Sequence, residues 1–526
     1  MHWCRIHPLK ENNQNINPIT YSINTTVDEY PEIEMLAPNE NIKLGDNTNI
    51  SLSASVSDDY GFSGLTLNYR LSESQLGIPW DEYVSKDITI SKTVIEQTAY
   101  YVWDLEEMIL AVDDVVSYYL EIFDNDIING PKSVKTKLFT IRVPSLNELY
   151  ANAENIQDES ELDLAETLQE AEELQKEFEK ISNEMKQDNK ELTWEEKEKI
   201  EEAVQKFKEL GEKVQKTQEK LDEMRKDLQE NNLLSEETLQ KYMELQELMD
   251  ELNSDELKEA FEKTQEMLQK MNRNQTQQAF EEMQFNEEMF KKSIERTLNL
   301  LKRIQIEQKV DEIIKRTEDL IEQLENMSEN TEQSDLSNKE EQENLASKQD
   351  NVTQDMNKLN EEMKKLRDKM SELDDMPTKD MQEMLDQMSE QQNQEMSEQT
   401  KQNLEQQQKM QAMQNQQQMS QNMQSMQQQM MSMQEQMQQQ SQMQTMYEMM
   451  KAINSLISLS KEQEALKEST RKLSATSPQM RENAQTQNDL RSGLDKVLKQ
   501  LSDLSQKTFA ITPEMGRALG KARSEM

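Results

Sequence analysis

Histidine and cysteine are almost missing from this chain: two His, at positions 2 and 7, and one Cys, at position 4, in 526 residues. Nucleophilic catalysis of the Ser-His or Cys-His kind needs a base held against the nucleophile. Outside the first seven residues no imidazole exists to serve. His2, Cys4 and His7 form a nominal Cys/His cluster, but three ligands at a chain start fall short of a zinc set. A single Cys cannot close an internal disulfide, so cysteine usage says nothing of the redox compartment. No catalytic, cofactor-binding or metal-ligating residue is assigned, and no cofactor is expected.

Glycine and proline are nearly as scarce over long stretches. No glycine lies between Gly211 and Gly493, and no proline between Pro144 and Pro377, so little punctuates the backbone there. A phosphate-cradling loop needs glycines between a strand and a helix. The nearest string, Gly516 to Ala522, is one residue short and lacks the Ser/Thr, so ATP-driven action is not expected. Runs of about 18 apolar residues, the minimum for a spanning helix, are also missing, and the polar opening Met1 to Lys10 is not a secretory signal. Apolar residues are 34% and aromatics 5% of the whole, too lean for one large core. Positive charge is outnumbered, 59 Lys and Arg against 104 Asp and Glu, for a net charge of −45. Nucleic acid is therefore excluded as a partner, and self-repulsion favours extended, solvated shapes. Among so many acids no carboxylate pair stands out as a glycosidase couple.

What is present falls into two materials. Ten of the twelve Tyr, three of the four Trp and seven of the ten Pro precede residue 151. There the apolar period is two: Ile50, Leu52, Ala54 and Val56 alternate with serines, Leu65 to Leu71 repeat the pattern, then Val116 to Ile122 and Phe139 to Val143. Asp58-Asp59-Tyr60-Gly61, Asp124-Asn125-Asp126 and Asn129-Gly130-Pro131 supply turn chemistry between them. Six to eight short strands in about 110 residues predict an immunoglobulin-like β-sandwich. The acidic turns at Asp58, Asp59, Asp124 and Asp126 suit Ca²⁺ as well as plain turn formation.

Beyond the boundary near Pro144–Ser145 the period becomes 3.5. Leu164, Leu168, Ala171, Leu174, Phe178, Ile181 and Met185 share one helical stripe. Thr193 with Glu196 forms a capping box for a second helix carrying Ile200, Val204, Phe207, Val214, Leu221, Met224 and Leu228. Breaks are expected at Asn231-Asn232 before a Ser235 cap, at 253–255, around 272–276, through 327–339, and at 375–378. From Met381 to Met450 stand 17 Met and 27 Gln in 70 residues. Met423, Met426, Met430, Met433 and Met437 step 3-4-3-4; after a one-residue phase shift Met443, Met446, Met450, Ile453 and Ile457 do the same. Three readings fit this tract: a helical seam of Met, soft-metal binding through thioethers such as Met431 and Met433 with Met423 and Met426, or a disordered, association-prone Gln-rich segment.

The expected fold is α+β and multidomain, a sandwich followed by a long helical, coiled-coil region with a Met/Gln-rich segment. Its divisions are an extension at 1–29 that ends a preceding module, the sandwich at 30–144, amphipathic helices at 145–326, an acidic linker and helix at 327–380, a Met/Gln-rich helix at 381–475, and C-terminal helices at 476–526.

Particular residues carry a likeness. Ser57-Asp-Asp-Tyr-Gly-Phe-Ser63 with Leu65-Thr-Leu-Asn-Tyr-Arg70, Tyr101-Val-Trp-Asp-Leu105, Tyr119-Leu-Glu-Ile-Phe-Asp-Asn-Asp126, Arg142-Val-Pro-Ser-Leu146, and the helical block from Phe290 through Gln308 together resemble a family of large bacterial envelope proteins grouped as a domain of unknown function. The resemblance implies membrane-spanning helices near the natural N-terminus, immunoglobulin-like modules, long helices and a Met/Gln-rich region. It transfers no functional residue. Since this sequence holds no membrane segment, and Thr512-Pro513-Glu514 opens a helix close to the last residue, the chain is expected to be a fragment of a longer product. The function expected is non-enzymatic: a structural, scaffolding or protein-interaction component of the cell envelope on the periplasmic side. Its partners would be proteins, or copies of itself, through the helices; membrane contact would come only through segments absent from this chain. The alternatives are a glycan- or peptide-binding sandwich on a helical stalk, and Cu(I) binding by the Met-rich tract.

Overall fold

The computed structural model describes residues 27–525 apart from positions 46, 75–78, 129, 188–192, 253–254, 270–272 and 475–476. The cluster of His2, Cys4 and His7 and most of the 1–29 extension lie outside the described residues, as does Asn129. Two compact units make up the chain, Met1–Glu148 and Leu149–Met526. The architecture is α+β, a β-sheet region followed by long helices.

In the first unit the strands are β1 (Glu32–Ala37), β2 (Ile42–Lys43), β3 (Asn49–Ser57), β4 (Phe62–Glu73), β5 (Val84–Ile88), β6 (Glu96–Asp104), β7 (Val115–Asp124), β8 (Ser133–Lys135) and β9 (Phe139–Arg142). One sheet has the order β1-β3-β6; the other runs β2-β9-β7-β4-β5, with β8 beside β7. The alternating runs behave as a period of two requires. Leu52, Ala54 and Val56 of β3 are buried while Ser51, Ser53, Ser55 and Ser57 point outward. Both sheets feed one apolar core, in which Leu52, Val56 and Trp103 meet Leu67, Val116, Tyr118, Leu120 and Ile141. Trp103 lies edge-on to Tyr118 at 5.4 Å, and Tyr118 stacks with Phe139 at 5.6 Å. β1, β5 and β6 are strands that alternation alone does not announce. In β6 only Ala99 and Trp103 are buried, so its sequence lacks the regular apolar beat.

The acidic turns serve the backbone. Asp58 accepts from the amides of Tyr60 and Gly61 at 3.0 and 2.8 Å, an Asx turn. Gly61 has φ +104°, and a Cβ there would sit 2.9 Å from the Lys92 carbonyl oxygen, so only glycine fits. Asp124 accepts from the amides of Asp126 and Lys132 at 3.2 and 2.8 Å.

The second unit is all helix: α1 (Leu146–Gln187), α2 (Trp194–Glu230), α3 (Glu236–Leu252), α4 (Asp255–Gln269), α5 (Arg273–Gln333), α6 (Lys339–Ser371), α7 (Thr378–Glu390), α8 (Asn393–Glu405), α9 (Lys409–Arg471), α10 (Gln479–Ser505) and α11 (Pro513–Glu525). The capping box forms as expected: the Glu196 amide donates to Thr193 Oγ1 at 3.2 Å, and the Thr193 amide to Glu196 Oε2 at 2.8 Å. Asn231 caps α2, Asn232 takes φ 49°, and the Thr238 amide donates to Ser235 Oγ at 3.2 Å to open α3. The break expected across 327–339 is narrower, because α5 continues to Gln333. The Met/Gln tract departs further from expectation. Instead of one helix over 381–475 it makes three, turning at Gln392 (φ 51°) and Gln407 (φ 59°). A side-chain pattern cannot announce such turns, because Gln is a good helix former that reaches φ > 0 only under tertiary constraint.

α5 is the central helix, about 92 Å long over its 61 residues, and it packs against α3, α4, α6 and α9. Phe178 meets Phe207 and Phe280 edge-on at 6.2 and 5.0 Å, forming an aromatic cluster. A second core joins Val310, Ile313 and Leu324 of α5, Met356 and Met363 of α6, and Met419, Met423, Met426, Met430 and Met433 of α9. The first Met stripe is therefore ordinary core. Farther along, α9 packs on α10 through Ala452, Val497 and Leu501. Gly493 lets the two helices close, since a Cβ there would lie 2.8 Å from Leu459 Cδ2.

Candidate binding groove

On α5 the sequence IQIEQKVDEIIKRT, from Ile304 to Thr317, alternates apolar with charged residues so densely that every face of the helix is buried somewhere along it. Buried charges must be paired or hydrogen-bonded, and these are: Asp311 accepts from the Ser235 amide at 3.0 Å and from Gln434 at 2.6 Å, and the others form ion pairs. Lys309 meets Glu362 of α6, lies 2.9 Å from Glu312 and 3.6 Å from Glu154 of α1. Arg316 Nε donates to Glu312 at 2.7 Å, and its guanidinium lies 5.2 Å from the centre of the Tyr150 ring. Burial opposes the charge on Lys309, but the carboxylates of Glu312, Glu362 and Glu154 outweigh it and hold the ammonium above the ordinary lysine range. Burial likewise opposes the Glu362 carboxylate, and Lys309 overcomes it, keeping that carboxyl below its usual value. A neutral triad adjoins the ion pairs: Gln157 of α1 donates to Tyr242 of α3 at 2.6 Å and to Gln308 at 2.5 Å, and Tyr242 donates to Gln308 at 2.6 Å. The network locks α1, α3, α5 and α6 in one register.

Beside the network opens a groove of about 970 Å³, walled by α3 and α5 on one side, by the α6–α7 corner, and by α9 with the α10–α11 loop. Its cations are all engaged. Lys241 donates to both oxygens of Glu307 at 2.7 Å. Arg303 Nη2 donates to both oxygens of Asp375 at 2.8 and 3.0 Å, and Lys507 lies 3.7 Å from the same carboxylate. Arg296 donates to the carbonyls of Ser505, Thr508 and Ile511 at 2.8, 3.3 and 2.7 Å, fastening the α10–α11 loop as the rim. Burial lowers the basicity of that guanidinium.

The opposite wall is the second Met stripe. Had the 3-4-3-4 beat of Met423 to Met437 continued, the next apolar positions would be 440, 444, 447 and 451. Those positions are exposed as well, so both registers are bare here: the core that holds the first stripe ends at Met437, and the shifted stripe lies about 100° round the helix from it. Met446 and Met450 are 61% and 56% exposed and Ile453 50%, all three lining the groove, and Met443, Tyr447 and Ile457 extend the bare face along α9.

Residues considered from sequence for chemistry fall elsewhere. Gly516 to Ala522 lie inside α11, not in a loop. Asp124 Oδ2 faces the Lys132 ammonium at 3.1 Å, which also meets Asp28 at 2.5 Å, so a lysine supplies the counter-charge at that turn. Met423, Met426 and Met433 turn into the core while Met431 is exposed, which parts Met431 from Met433. Among the described residues no group of three or more His, Cys, Asp or Glu is arranged to hold a metal ion, and no helix is long and apolar enough to cross a membrane. The acidic residues of α3 that edge the groove carried no sequence signal of their own, and the Met stripe runs past the end of its core without a change in residue type to mark the place.

No family model matches the chain, and no curated protein or solved structure gives a significant match.

Proposed function

We propose that this protein is a non-enzymatic interaction scaffold of the bacterial cell envelope, acting on the periplasmic side, in which an immunoglobulin-like sandwich is joined to a helical unit of coiled-coil type that receives protein partners. One observation carries the reading: α9 keeps an apolar face of Met443, Met446, Met450, Ile453 and Ile457 in solvent, although the same helix buries Met419, Met423, Met426, Met430 and Met433 farther up. Monomeric proteins seldom leave contiguous apolar surface uncovered without use. The −45 net charge keeps such a surface soluble and works against acidic partners. No reacting side chain takes part.

A photo-reactive residue at position 450 of the full chain, expressed in its own bacterium, tests this. The expected result is one adduct of defined mass, identified as an envelope protein and missing when the same residue is placed at exposed Met410. Absence of any adduct at 450 would refute the scaffold role.

A second reading, ligand binding by the sheet unit, has support of its own. Tyr100 and Val102 are 75% and 62% exposed on β6, an end strand of its sheet, opposite Ser53 and Ser51 of β3. An aromatic ring over a hydroxyl-bearing face suits a glycan or an extended peptide. Loss of glycan or peptide binding on Tyr100→Ala would support it; unchanged binding would count against it.

A further inference from the structure

We infer that the groove between α3 and α9 is a receptor for a cationic amphipathic helix of a partner protein. The inference rests on the interaction reading and names the partner's chemistry.

Shape comes first. From Met443 to Ile457 the bare stripe runs about 21 Å, four turns of helix. A helix of that length and about 10 Å diameter, sunk to half its depth, displaces on the order of 800 Å³, comparable with the 970 Å³ of the groove. Unbranched methionines suit such a surface, because they repack around whatever apolar face is offered.

Charge decides the class of helix. Seven carboxylates and four cations line the groove. Lys241 is held by Glu307 and, at 3.0 Å, by Glu237; Arg303 and Lys507 are held by Asp375, and Arg296 by three carbonyls. On α3, Glu237, Glu244, Glu247 and Glu251 fall at spacings of seven, three and four, one face of the helix. Glu247 forms no ion pair among the described residues, and Glu244 is met by the Gln240 amide at 2.9 Å. The groove therefore presents an apolar wall beside a rim of negative charge, the complement of a helix with Leu-type residues on one face and Lys or Arg on its flank. A second copy of this chain fits poorly, since each copy brings −45 and the rim would repel it.

The test uses the full chain and two labelled peptides of about 20 residues, an amphipathic Leu/Lys helix and its twin with Glu in place of Lys, with binding read by fluorescence anisotropy from low to high salt. The Lys helix should bind and weaken as salt rises. Met446→Asp with Met450→Asp should weaken it about tenfold or more, whereas Met410→Asp, at an exposed position outside the groove, should not. Glu244→Lys with Glu247→Lys should move preference toward the Glu twin. All of these positions are partly or fully exposed, so circular dichroism is expected to match the parent. Equal weakening by the groove and the Met410 variants would reveal diffuse attraction to an acidic chain and overturn the receptor. Equal binding of both peptides would overturn the cationic partner while leaving the interaction scaffold standing. A dimer in sedimentation equilibrium that Met450→Asp dissociates would overturn the inference in favour of self-association.

Discussion

Glu287 offers a sharp test of the helical unit. It lies on α5 in line with Met283 and Phe290, is wholly buried, and neither carboxylate oxygen finds a hydrogen-bond donor among the described residues. Burial pushes its carboxyl up to about 7; Lys291 works against the shift, and Glu288 and Glu179 add to it. In the unfolded chain the same group titrates near 4.5. The folded state thus binds the proton more tightly. Stability from this group is fully present below about pH 4.5, declines as pH rises, and is lost above about pH 7. The difference of about 2.5 pH units corresponds to about 3 kcal/mol at pH 8. Glu287→Met, similar in volume and without charge, should stabilise the helical unit at pH 8 by a gain of that order, and much less at pH 5. Because protonation relieves repulsion throughout so acidic a chain, the quantity to measure is the difference between variant and parent. Denaturant unfolding followed by circular dichroism at 222 nm, at several pH values between 5 and 8, supplies it. A difference that does not vary with pH would show that Glu287 is not a buried, ionisable burden, and the reasoning would fail.

Three further outcomes are expected. Lys309→Met removes the cation that Glu312 and Glu362 share, leaving Glu312 to Arg316 and Glu362 to the more exposed Lys365, and should destabilise by about 1.5–3 kcal/mol in denaturant titration; a loss below about 1 kcal/mol would mean that water reaches the site. Met423→Ala, in the core, should cost about 2–5 kcal/mol, while Met443→Ala, 63% exposed on the same helix, should stay within about 0.5 kcal/mol. Equal effects would erase the distinction between the two stripes. Gly61→Ala should lower the melting temperature of the sheet unit, through a penalty of about 1–3 kcal/mol from its positive φ and the approach to Lys92; an unchanged calorimetric transition would contradict that turn geometry.

Much of the scaffold was legible in the residues, and the reasons differ by region. β3, β4, β7 and β9 each have one buried face, so Leu52 to Val56 or Val116 to Ile122 announce themselves by alternation. β6 hid because Tyr100 and Val102, apolar by type, sit outward. The stripes of α1 and α2 were legible because each has one buried face. α5 was not, since it is enclosed: Gln308, Lys309, Asp311 and Glu312 look like a solvated surface until partners arrive from α1, α3 and α6. Partnership across 151 residues, as between Gln157 and Gln308, leaves no local trace. The groove left no such trace either, because α9 is bare in both the shifted and the unshifted register beyond Met437. Its acidic rim is built from ordinary helix-surface glutamates, distinguished only by what α9 leaves uncovered opposite them.

The one-residue shift in the methionine beat has a bearing on inheritance. Within an uninterrupted helix each slip of a single residue turns everything downstream by about 100°. Placed before Met423, a slip would swing core methionines into water; placed between Met437 and Met443, it would turn Ala452 away from its contact with α10. Slips of seven residues nearly restore the facing. Natural variants of this tract should therefore differ in length by sevens within α9 and more freely beside the Gln392 and Gln407 turns, where a bend can absorb the remainder.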